Sequence, residues 1–210
     1  MKKLIVSLVA ALCFVSQTSS GQQDARPKND KFRELIERQR AIEVSISAGG
    51  GNFGPVRESF KVGEPITVVV FMTNKGVEAT GVVIADPYYQ NRPKLMRDGE
   101  EIPYRKQVAD VLKWKDKEGC GAGRIVGAEL KPNEKTEVDF LTVNDGPRVT
   151  GNIVWYDPLE PGKYELRIRR RFGCYQEPEA ESGTIHFEVV SVEHAAPNIG
   201  MQRTRNQAVS

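Results

Sequence analysis

The sequence predicts an all-β fold, a two-sheet antiparallel sandwich with a short N-terminal helix and flexible tails. From residue 41 onwards apolar and polar residues alternate, as Ile42, Val44 and Ile46 do with the residues between them, and a period of two is typical of half-buried strands. About nine such short segments are separated by turns rich in Gly, Pro, Asn and Asp. No helical pattern is visible between them, which favours a sandwich over βαβ units.

The N-terminal residues have the layout of a cleaved export signal. Lys2 and Lys3 precede an apolar run over residues 4–15, and small and polar residues follow as far as Gly21. The run is shorter than the roughly 20 residues that span a bilayer. We therefore predict a signal peptide over residues 1–21 and a secreted or periplasmic protein with no membrane span after cleavage. The alternative is an N-terminal membrane anchor.

The remaining chain divides into three parts. Residues 22–40 form a polar linker with a short helix over residues 31–40, in which Phe32, Leu35 and Ile36 make one apolar stripe. We expect this helix to act as a spacer. The β-domain covers residues 41–192, and residues 193–210 lack any apolar period and are predicted to be a disordered tail.

The charge balance argues against nucleic acid as a partner. The chain has 30 Lys and Arg residues against 28 Asp and Glu. Lys2 and Lys3 account for the whole excess, whereas a nucleic-acid binder needs a cationic surplus to neutralise phosphates. The basic cluster at residues 167–171 is followed by acids at residues 177–181. We expect these acids to pair with it on a solvated strand face, and the alternative is a patch for an anionic ligand.

Three segments give more detailed expectations. Residues 66–73 are almost continuously apolar, which predicts a central strand buried on both faces. Residues 95–102 predict a hairpin whose tight turn is Asp98-Gly99, where positive φ is required. Residues 113–123 are charged and glycine-rich, and we expect a long loop there.

Two stretches resemble exported bacterial immunoglobulin-like and fibronectin-like domains. The segment Leu159-Glu-Pro-Gly-Lys-Tyr-Glu-Leu166 is similar to the corner that enters a late strand of such domains, and Phe60-Lys-Val-Gly-Glu-Pro-Ile-Thr-Val68 is similar to their early strand. The resemblance implies an immunoglobulin-like sandwich in which Tyr164 is the corner tyrosine, with its hydroxyl bonded to nearby backbone. More distantly, the pattern is similar to a bacterial intracellular proteinase inhibitor family.

The cysteines predict one disulfide. Cys13 lies within the signal, and in an exported protein the two that remain, Cys120 and Cys174, most often pair. Such a bond would join two long loops instead of crossing between the sheets. The alternatives are a bond to another chain and a catalytic thiol. A catalytic thiol needs a neighbouring base, and the histidines of the chain are His186 and His194.

Connecting loops supply the candidate contact residues. Residues 49–54 formally match G-x-G-x-x-G, but Pro55 and a strand pattern follow where a dinucleotide site needs a helix. We predict instead a flexible loop with Phe53 at its tip. Exposed aromatic residues often anchor binding surfaces, although they also form lids over sandwich cores. The other loop candidates are Tyr88, Tyr89, Trp114 and Arg148.

The sequence contains no recognisable catalytic, metal or cofactor site. Two histidines and two paired cysteines do not make a zinc cluster, and neither a nucleophile elbow nor a His-Glu-x-x-His motif is present. We therefore predict a noncatalytic exported module that contacts a protein or a glycan. The alternatives are an extracellular proteinase inhibitor and a hydrolytic enzyme, which would need a pocket converging on His186 or on several carboxylates.

Overall fold

The computed structural model describes residues 26–120, 126–144, 154–174 and 178–191. The predicted signal peptide, the C-terminal tail and Arg148 lie outside the described residues. The helices are Arg26–Gln39 (α1), Pro87–Gln90 (α2) and Lys106–Glu118 (α3). The strands are Ile42–Ala48 (β1), Ser59–Lys61 (β2), Ile66–Asn74 (β3), Thr80–Ile84 (β4), Asn91–Arg97 (β5), Glu100–Glu101 (β6), Val126–Leu130 (β7), Lys135–Asn144 (β8), Gly162–Arg171 (β9), Glu179–Glu181 (β10) and Ile185–Val190 (β11).

The strands form three sheets. Sheet A is antiparallel and has the order β1-β3-β8. Sheet B has the order β2-β11-β9-β5-β6, with β10 paired to the end of β9, and its pairs are antiparallel except for β2 with β11. β4 and β7 form a separate antiparallel pair. The chain is therefore mostly β with antiparallel sheets, as predicted.

The inward-facing residues of sheets A and B belong to one hydrophobic core. Alternation along β3 turns Val68, Val70 and Met72 inward, and alternation along β9 turns Leu166 and Ile168 inward. These residues are buried almost completely, which removes their apolar surface from water and supplies the main driving force for folding. The prediction that β3 is a central strand is confirmed.

The predicted hairpin is confirmed. Its strands are β5 and β6, in which Met96 pairs with Glu101 and Arg97 pairs with Glu100. Asp98 has φ 53° and Gly99 has φ 83°. A two-residue connection with positive φ at both positions matches the right-handed twist of the flanking strands.

Helix α1 packs on the domain, so the expectation of a spacer is wrong. The helix also begins at Arg26, earlier than predicted. Nε2 of the buried Gln39 donates to the carbonyl oxygen of Gly81 in β4 at 2.6 Å, and Arg38 pairs with Glu78 at 2.8 Å. Leu35 of the predicted apolar stripe is half-buried and also lies close to Gly81, so the contact has a polar and an apolar part.

The expected loop over residues 113–123 is wrong as far as Glu118, because those residues belong to α3, and the expectation of no helix between strands is wrong as well. The buried side of α3 consists of Val108, Leu112 and Lys115, at helical spacing. Because Lys115 is charged, the third buried position of α3 does not continue the apolar pattern of helical spacing, and the sequence does not reveal the helix. The ammonium group of Lys115 pairs with the carboxylate of Asp86, and both side chains are nearly buried.

Asp86 also organises the chain that faces α3. Its carboxylate accepts hydrogen bonds from the backbone N–H groups of Tyr88 and Tyr89 at 3.1 and 3.2 Å, which caps the N-terminus of the short helix α2. Arg92 of β5 donates to the carbonyl oxygen of Tyr88 and pairs with Asp116 of α3. Two charged pairs therefore hold α3 against α2 and β5.

Tyrosine hydroxyls complete the edge of β5 where the pairing with β6 ends. The N–H of Ile102 donates to the carbonyl oxygen of Leu95 at 2.9 Å. Two residues earlier, the carbonyl of Pro93 points to the same side but has no strand beside it. The hydroxyls of Tyr104 and Tyr156 donate to this oxygen at 2.6 and 2.8 Å. They replace the strand that would otherwise satisfy the edge.

A buried arginine joins the two large sheets. Nη1 of Arg170 in β9 donates to Oδ1 of Asn91 in β5 and to Oδ2 of Asp139 in β8, both at 2.7 Å. Nδ2 of Asn91 donates to the same Asp139 oxygen at 2.9 Å. Burial lowers the pKa of Arg170, and the carboxylate of Asp139 opposes that shift. Arg170 is thus not part of the solvated face expected for the basic cluster.

Cys120 and Cys174 lie at disulfide distance, as predicted, with their Cα atoms 5.2 Å apart. Gly119, with φ 85°, ends α3 immediately before Cys120, and Cys174 comes shortly after β9. Both cysteines lie in connecting segments, as expected, and the bond fastens the segment that follows α3 to the one that follows β9.

Replacing Cys120 and Cys174 together by serine is expected to lower the free energy of unfolding by about 4 kcal/mol. The bond spans 54 residues, and its removal returns the corresponding loop entropy to the unfolded chain. Urea denaturation of the oxidised protein and the double variant measures the difference. The reduced native protein is the control and should unfold with the variant; a loss below about 1 kcal/mol would contradict the prediction.

Removal of the two hydroxyls at Pro93 is expected to be strongly non-additive. Tyr104→Phe or Tyr156→Phe alone should cost about 1 kcal/mol, because the other hydroxyl still satisfies the carbonyl. The double variant leaves a buried acceptor unpaired and should cost about 1–2 kcal/mol more than the sum of the single changes. A double-mutant cycle measured by chemical denaturation tests this, and simple additivity would refute it.

Candidate binding surface

The outer side of sheet A carries an exposed aromatic pair. The rings of Phe53 and Phe140 lie with their centroids 4.7 Å apart, and the two residues are 38% and 40% exposed. Val56 is exposed as well, and Phe71 on β3 is half-buried. We call these four residues the aromatic face. Exposed apolar groups that lie together are typical of interaction sites.

A hydrogen-bonded turn, and not a flexible loop, presents Phe53. The N–H of Gly50 donates to the carbonyl oxygen of Gly54 at 2.8 Å. The N–H of Phe53 donates to the carbonyl oxygen of Gly50 at 3.0 Å. The hydroxyl of Ser47 donates to the carbonyl oxygen of Gly49 at 2.7 Å. The geometry is that of a formed platform rather than an open chain.

Glycines are required at both ends of this turn. Gly49 has φ 76° and Gly54 has φ 87°, values that residues with a side chain rarely adopt. A Cβ at Gly49 would lie 2.3 Å from the carbonyl oxygen of Pro55. The close approach folds the chain back over sheet A, where the 3-10 turn Gly51–Phe53 contacts β3. The glycine run therefore serves backbone geometry.

Val69 shows what the turn covers. It lies on the outward side of β3, between Thr67 and Phe71, and yet it is completely buried. Its strand partner on β8 is Phe140. The sequence predicted that β3 is buried on both faces along its whole length. On the outward face this is true of Val69, whereas Thr67 and Phe71 are half-buried.

The surroundings of the aromatic face are polar. The ammonium group of Lys135 lies 4.4 Å from the centre of the Phe71 ring, a cation–π contact. Lys75 pairs with Glu43 at 3.3 Å further along the same sheet. Half-buried hydroxyl residues face outward from β1 and β3: Ser45, Ser47, Thr67 and Thr73. An apolar centre within a polar rim is the usual anatomy of an interface.

Of the other predicted contact residues, the structure exposes Trp114 and covers the tyrosines. Trp114 is 53% exposed on α3. Tyr89 is buried, so its assignment as a contact residue is wrong, and Tyr88 is half-buried with its ring 5.5 Å from that of Trp155. Both tyrosines belong to α2, whose cap turns them towards the protein. The lid interpretation therefore fits them.

Tyr164 makes the kind of bond that the corner resemblance implied. Its side chain is buried, and its hydroxyl donates to the carbonyl oxygen of Glu160 at 2.7 Å. Burial is the main cause that raises the pKa of this tyrosine, which keeps the hydroxyl protonated as a donor. The bond fixes the entry to β9.

Sheet B has a charged outer side. The acids predicted to neutralise the basic cluster do so where they are described, since Arg167 pairs with Glu181 at 3.1 Å and Arg169 pairs with Glu179 at 3.5 Å. Arg171 also shares Glu179, at 3.6 Å. The interpretation as a solvated strand face is confirmed for Arg167 and Arg169, whereas the Arg171 side chain is largely buried against the Tyr89 ring.

A groove of about 410 Å³ crosses the same side of sheet B. It brings together His186 and the carboxylates of Glu58, Asp98, Glu165 and Glu188. Nδ1 of His186 lies 3.9 Å from Oε1 of Glu165, beyond hydrogen-bond distance, and both side chains are exposed. No serine, threonine or cysteine is among the described residues that line the groove, and the hydroxyl of Tyr164, which does line it, donates to the carbonyl oxygen of Glu160. The hydrolytic alternative stays a prediction.

Sequence reasoning missed Phe140 and Val56. Phe140 stands between Asp139 and Leu141 in β8, and a register shift in the β3–β8 pairing, between Val70 and Phe71, changes the phase of the alternation there. A simple period of two therefore does not tell which of these residues points outward. The signal that would have found Val56 is the glycine turn beside it, because chain reversals place neighbouring residues on one surface.

Within the described ranges, no group of three or more His, Cys, Asp and Glu residues is placed to hold a metal ion. None of the helices in those ranges has the length and apolar character that crossing a bilayer takes.

No protein-family model matches the chain, and no curated protein matches it. Among solved structures, it aligns with a Pseudomonas fluorescens alkylpurine DNA glycosylase, AlkC, bound to DNA containing an abasic site analog, with a TM-score of 0.30 and 10% sequence identity. The alignment covers 75% of this chain and 35% of that chain, so this chain spans about a third of the protein it matches. Similarity at this level supports no argument about fold or function.

Gly49→Ala is expected to destabilise the protein by about 1–3 kcal/mol, since it forces an L-residue to positive φ and brings its Cβ against Pro55. Gly127→Ala is the matched control, because a Cβ in β7 meets nothing within 4 Å and no positive φ is required. The control should change stability by less than about 0.5 kcal/mol. Chemical denaturation compares the two variants, and equal effects would show that the turn is not rigidly specified.

Proposed function

We propose that the protein is a noncatalytic exported module that binds a partner protein through the aromatic face. The observation that carries this proposal is the Phe53–Phe140 pair, which lies exposed on the outer side of sheet A. The two rings leave apolar surface in water, and a partner that covers them gains the free energy of removing that surface.

The shape of the platform supports a protein partner. The glycine turn is closed by its own hydrogen bonds, so binding loses little conformational entropy in ordering it. Phenyl rings and the aliphatic Val56 offer apolar contact without hydrogen-bonding groups, which suits the buried centre of a protein interface better than a sugar with hydroxyls to satisfy. A glycan is the competing partner, and an array experiment distinguishes it.

We further propose that the fold is an immunoglobulin-like or fibronectin-like sandwich exported from the cell. The Tyr164–Glu160 bond and the single core shared by sheets A and B support the sandwich. The Cys120–Cys174 pair supports an oxidising compartment, because such bonds persist outside the cytosol. In domains of this kind the strands supply a scaffold and the outer surfaces carry recognition.

Phe53→Ser combined with Phe140→Ser is expected to weaken partner binding at least tenfold, because both anchors of the interface are lost. The measurement is quantitative crosslinking and pull-down from envelope and secreted fractions, with the native chain and the variant side by side. Val77→Ser is the control, because Val77 is 93% exposed in the turn after β3 and does not belong to the aromatic face.

Partners captured equally by the native chain and the double variant would refute the aromatic face as the binding site. Loss of a glycan-array signal in the double variant, without any protein partner, would replace the protein by a glycan. A protease from a panel that the native chain inhibits and the double variant does not would identify the partner as a protease and the protein as an inhibitor.

A further inference from the structure

The outer side of α3 carries lysines around an exposed tryptophan. The inner side is fixed by Val108, Leu112 and Lys115, which are buried. At 100° per residue, the positions opposite to them include residues 106, 110, 113 and 117, and position 114 lies beside these. All five positions are exposed: Lys106, Asp110, Lys113, Trp114 and Lys117. We call this set the lysine–tryptophan face.

The lysine–tryptophan face is cationic, whereas the chain as a whole is close to neutral. Lys106 and Lys113 have no ion pair among the described residues, and Lys117 lies 3.3 Å from Glu118. With Asp110 as the one acid among the five, the face carries a net positive charge. The contrast with sheet B is clear, because Arg167 and its neighbours there are matched by acids on the paired strand.

Trp114 is held in place from the protein side. The ammonium group of Lys115 lies 4.6 Å from the centre of the Trp114 ring. Lys115 is itself anchored by its ion pair with Asp86. The indole ring thus packs against this buried ion pair, and 53% of the residue stays exposed.

We propose that the lysine–tryptophan face docks the protein on an anionic lipid surface. An indole ring has an apolar body and one N–H, and it is enriched at the level of lipid headgroups for that reason. Lysines extend from an apolar stem to a charged head and reach phosphate groups from the same depth. Charge complementarity therefore selects an anionic bilayer surface as the occupant.

The chemistry of the face distinguishes it from a protein interface. A protein interface has an apolar centre in which charged residues are depleted, and the aromatic face on sheet A has that composition. The lysine–tryptophan face instead has one ring among flexible cations. The proposed docking is peripheral, and it is independent of the partner proposed for the aromatic face.

Electrostatics sets the expected size of the effect. Each lysine near an anionic surface strengthens binding about fivefold, and the three lysines less the one acid, Asp110, leave two net charges and a preference of about thirtyfold for anionic over neutral membranes. The effect falls with salt because surface charges are screened over a Debye length of about 10 Å at 0.1 M.

Tryptophan fluorescence provides a direct test, because the chain has two tryptophans and Trp155 is fully buried. The exported protein is titrated with vesicles of phosphatidylglycerol and phosphatidylcholine in equal parts, and with vesicles of phosphatidylcholine alone. We expect a blue shift of the Trp114 emission with the mixed vesicles, little change with the neutral ones, and reversal by 0.5 M salt.

Matched variants assign the effect to α3. Lys113→Gln and Lys117→Gln should each weaken vesicle co-sedimentation about fivefold. Lys131→Gln removes an exposed lysine from the turn between β7 and β8 and should leave it unchanged. Trp114→Ala should weaken co-sedimentation while the charges remain.

Three outcomes would overturn the proposal. The first is the absence of a shift with the mixed vesicles at low salt, and the second is an equal shift with neutral vesicles. The third is binding of the Lys113 and Lys117 variants at the level of the native chain. Retention on a polyanionic column without vesicle binding would assign the face to an acidic polymer and would likewise reject the lipid surface.

Discussion

The carbonyl group of Pro93 must be hydrogen-bonded on the side of β5 that faces away from β9, where no strand lies beside it. This constraint explains much of the region around it. The chain leaves the hairpin after β6, and the hydroxyls of Tyr104 and Tyr156 take the place of the missing strand. α3 follows directly and lies beside α2 and β5, held by the pairs Lys115–Asp86 and Arg92–Asp116. An unsatisfied buried carbonyl would cost about 1–3 kcal/mol.

The elements that depend on local chemistry could be predicted from the sequence. Asp98-Gly99 supplies positive φ at both turn positions, and β3 contains a run of β-branched residues that suits a central strand. The cysteine pair could be predicted because an export signal precedes a chain in which two cysteines remain. These predictions need no knowledge of distant residues, because the conformational preference lies within a few neighbouring residues.

The elements that depend on distant partners could not be predicted in this way. α3 has a lysine on its buried side, and only the carboxylate of Asp86, far away in the sequence, makes that position tolerable. The docking of α1 likewise depends on residues that are distant in the sequence, among them Gly81, whose carbonyl oxygen accepts a hydrogen bond from the Gln39 amide, and Glu78, which pairs with Arg38. In the candidate site, Phe53 was visible as the tip of a glycine run, whereas Phe140 was hidden by the register shift between β3 and β8.

Tyr89 and Trp114 show how the same property of a side chain leads to opposite positions. Both are aromatic residues on predicted connections, and both had equal claims to exposure. The carboxylate of Asp86 accepts a hydrogen bond from the N–H of Tyr89 and caps α2, and this orientation of the helix turns the Tyr89 ring towards the protein. The same carboxylate holds Lys115 on the inner side of α3, which leaves the adjacent position, Trp114, on the outer side. One buried charge thus determines which aromatic residue is buried and which one is exposed.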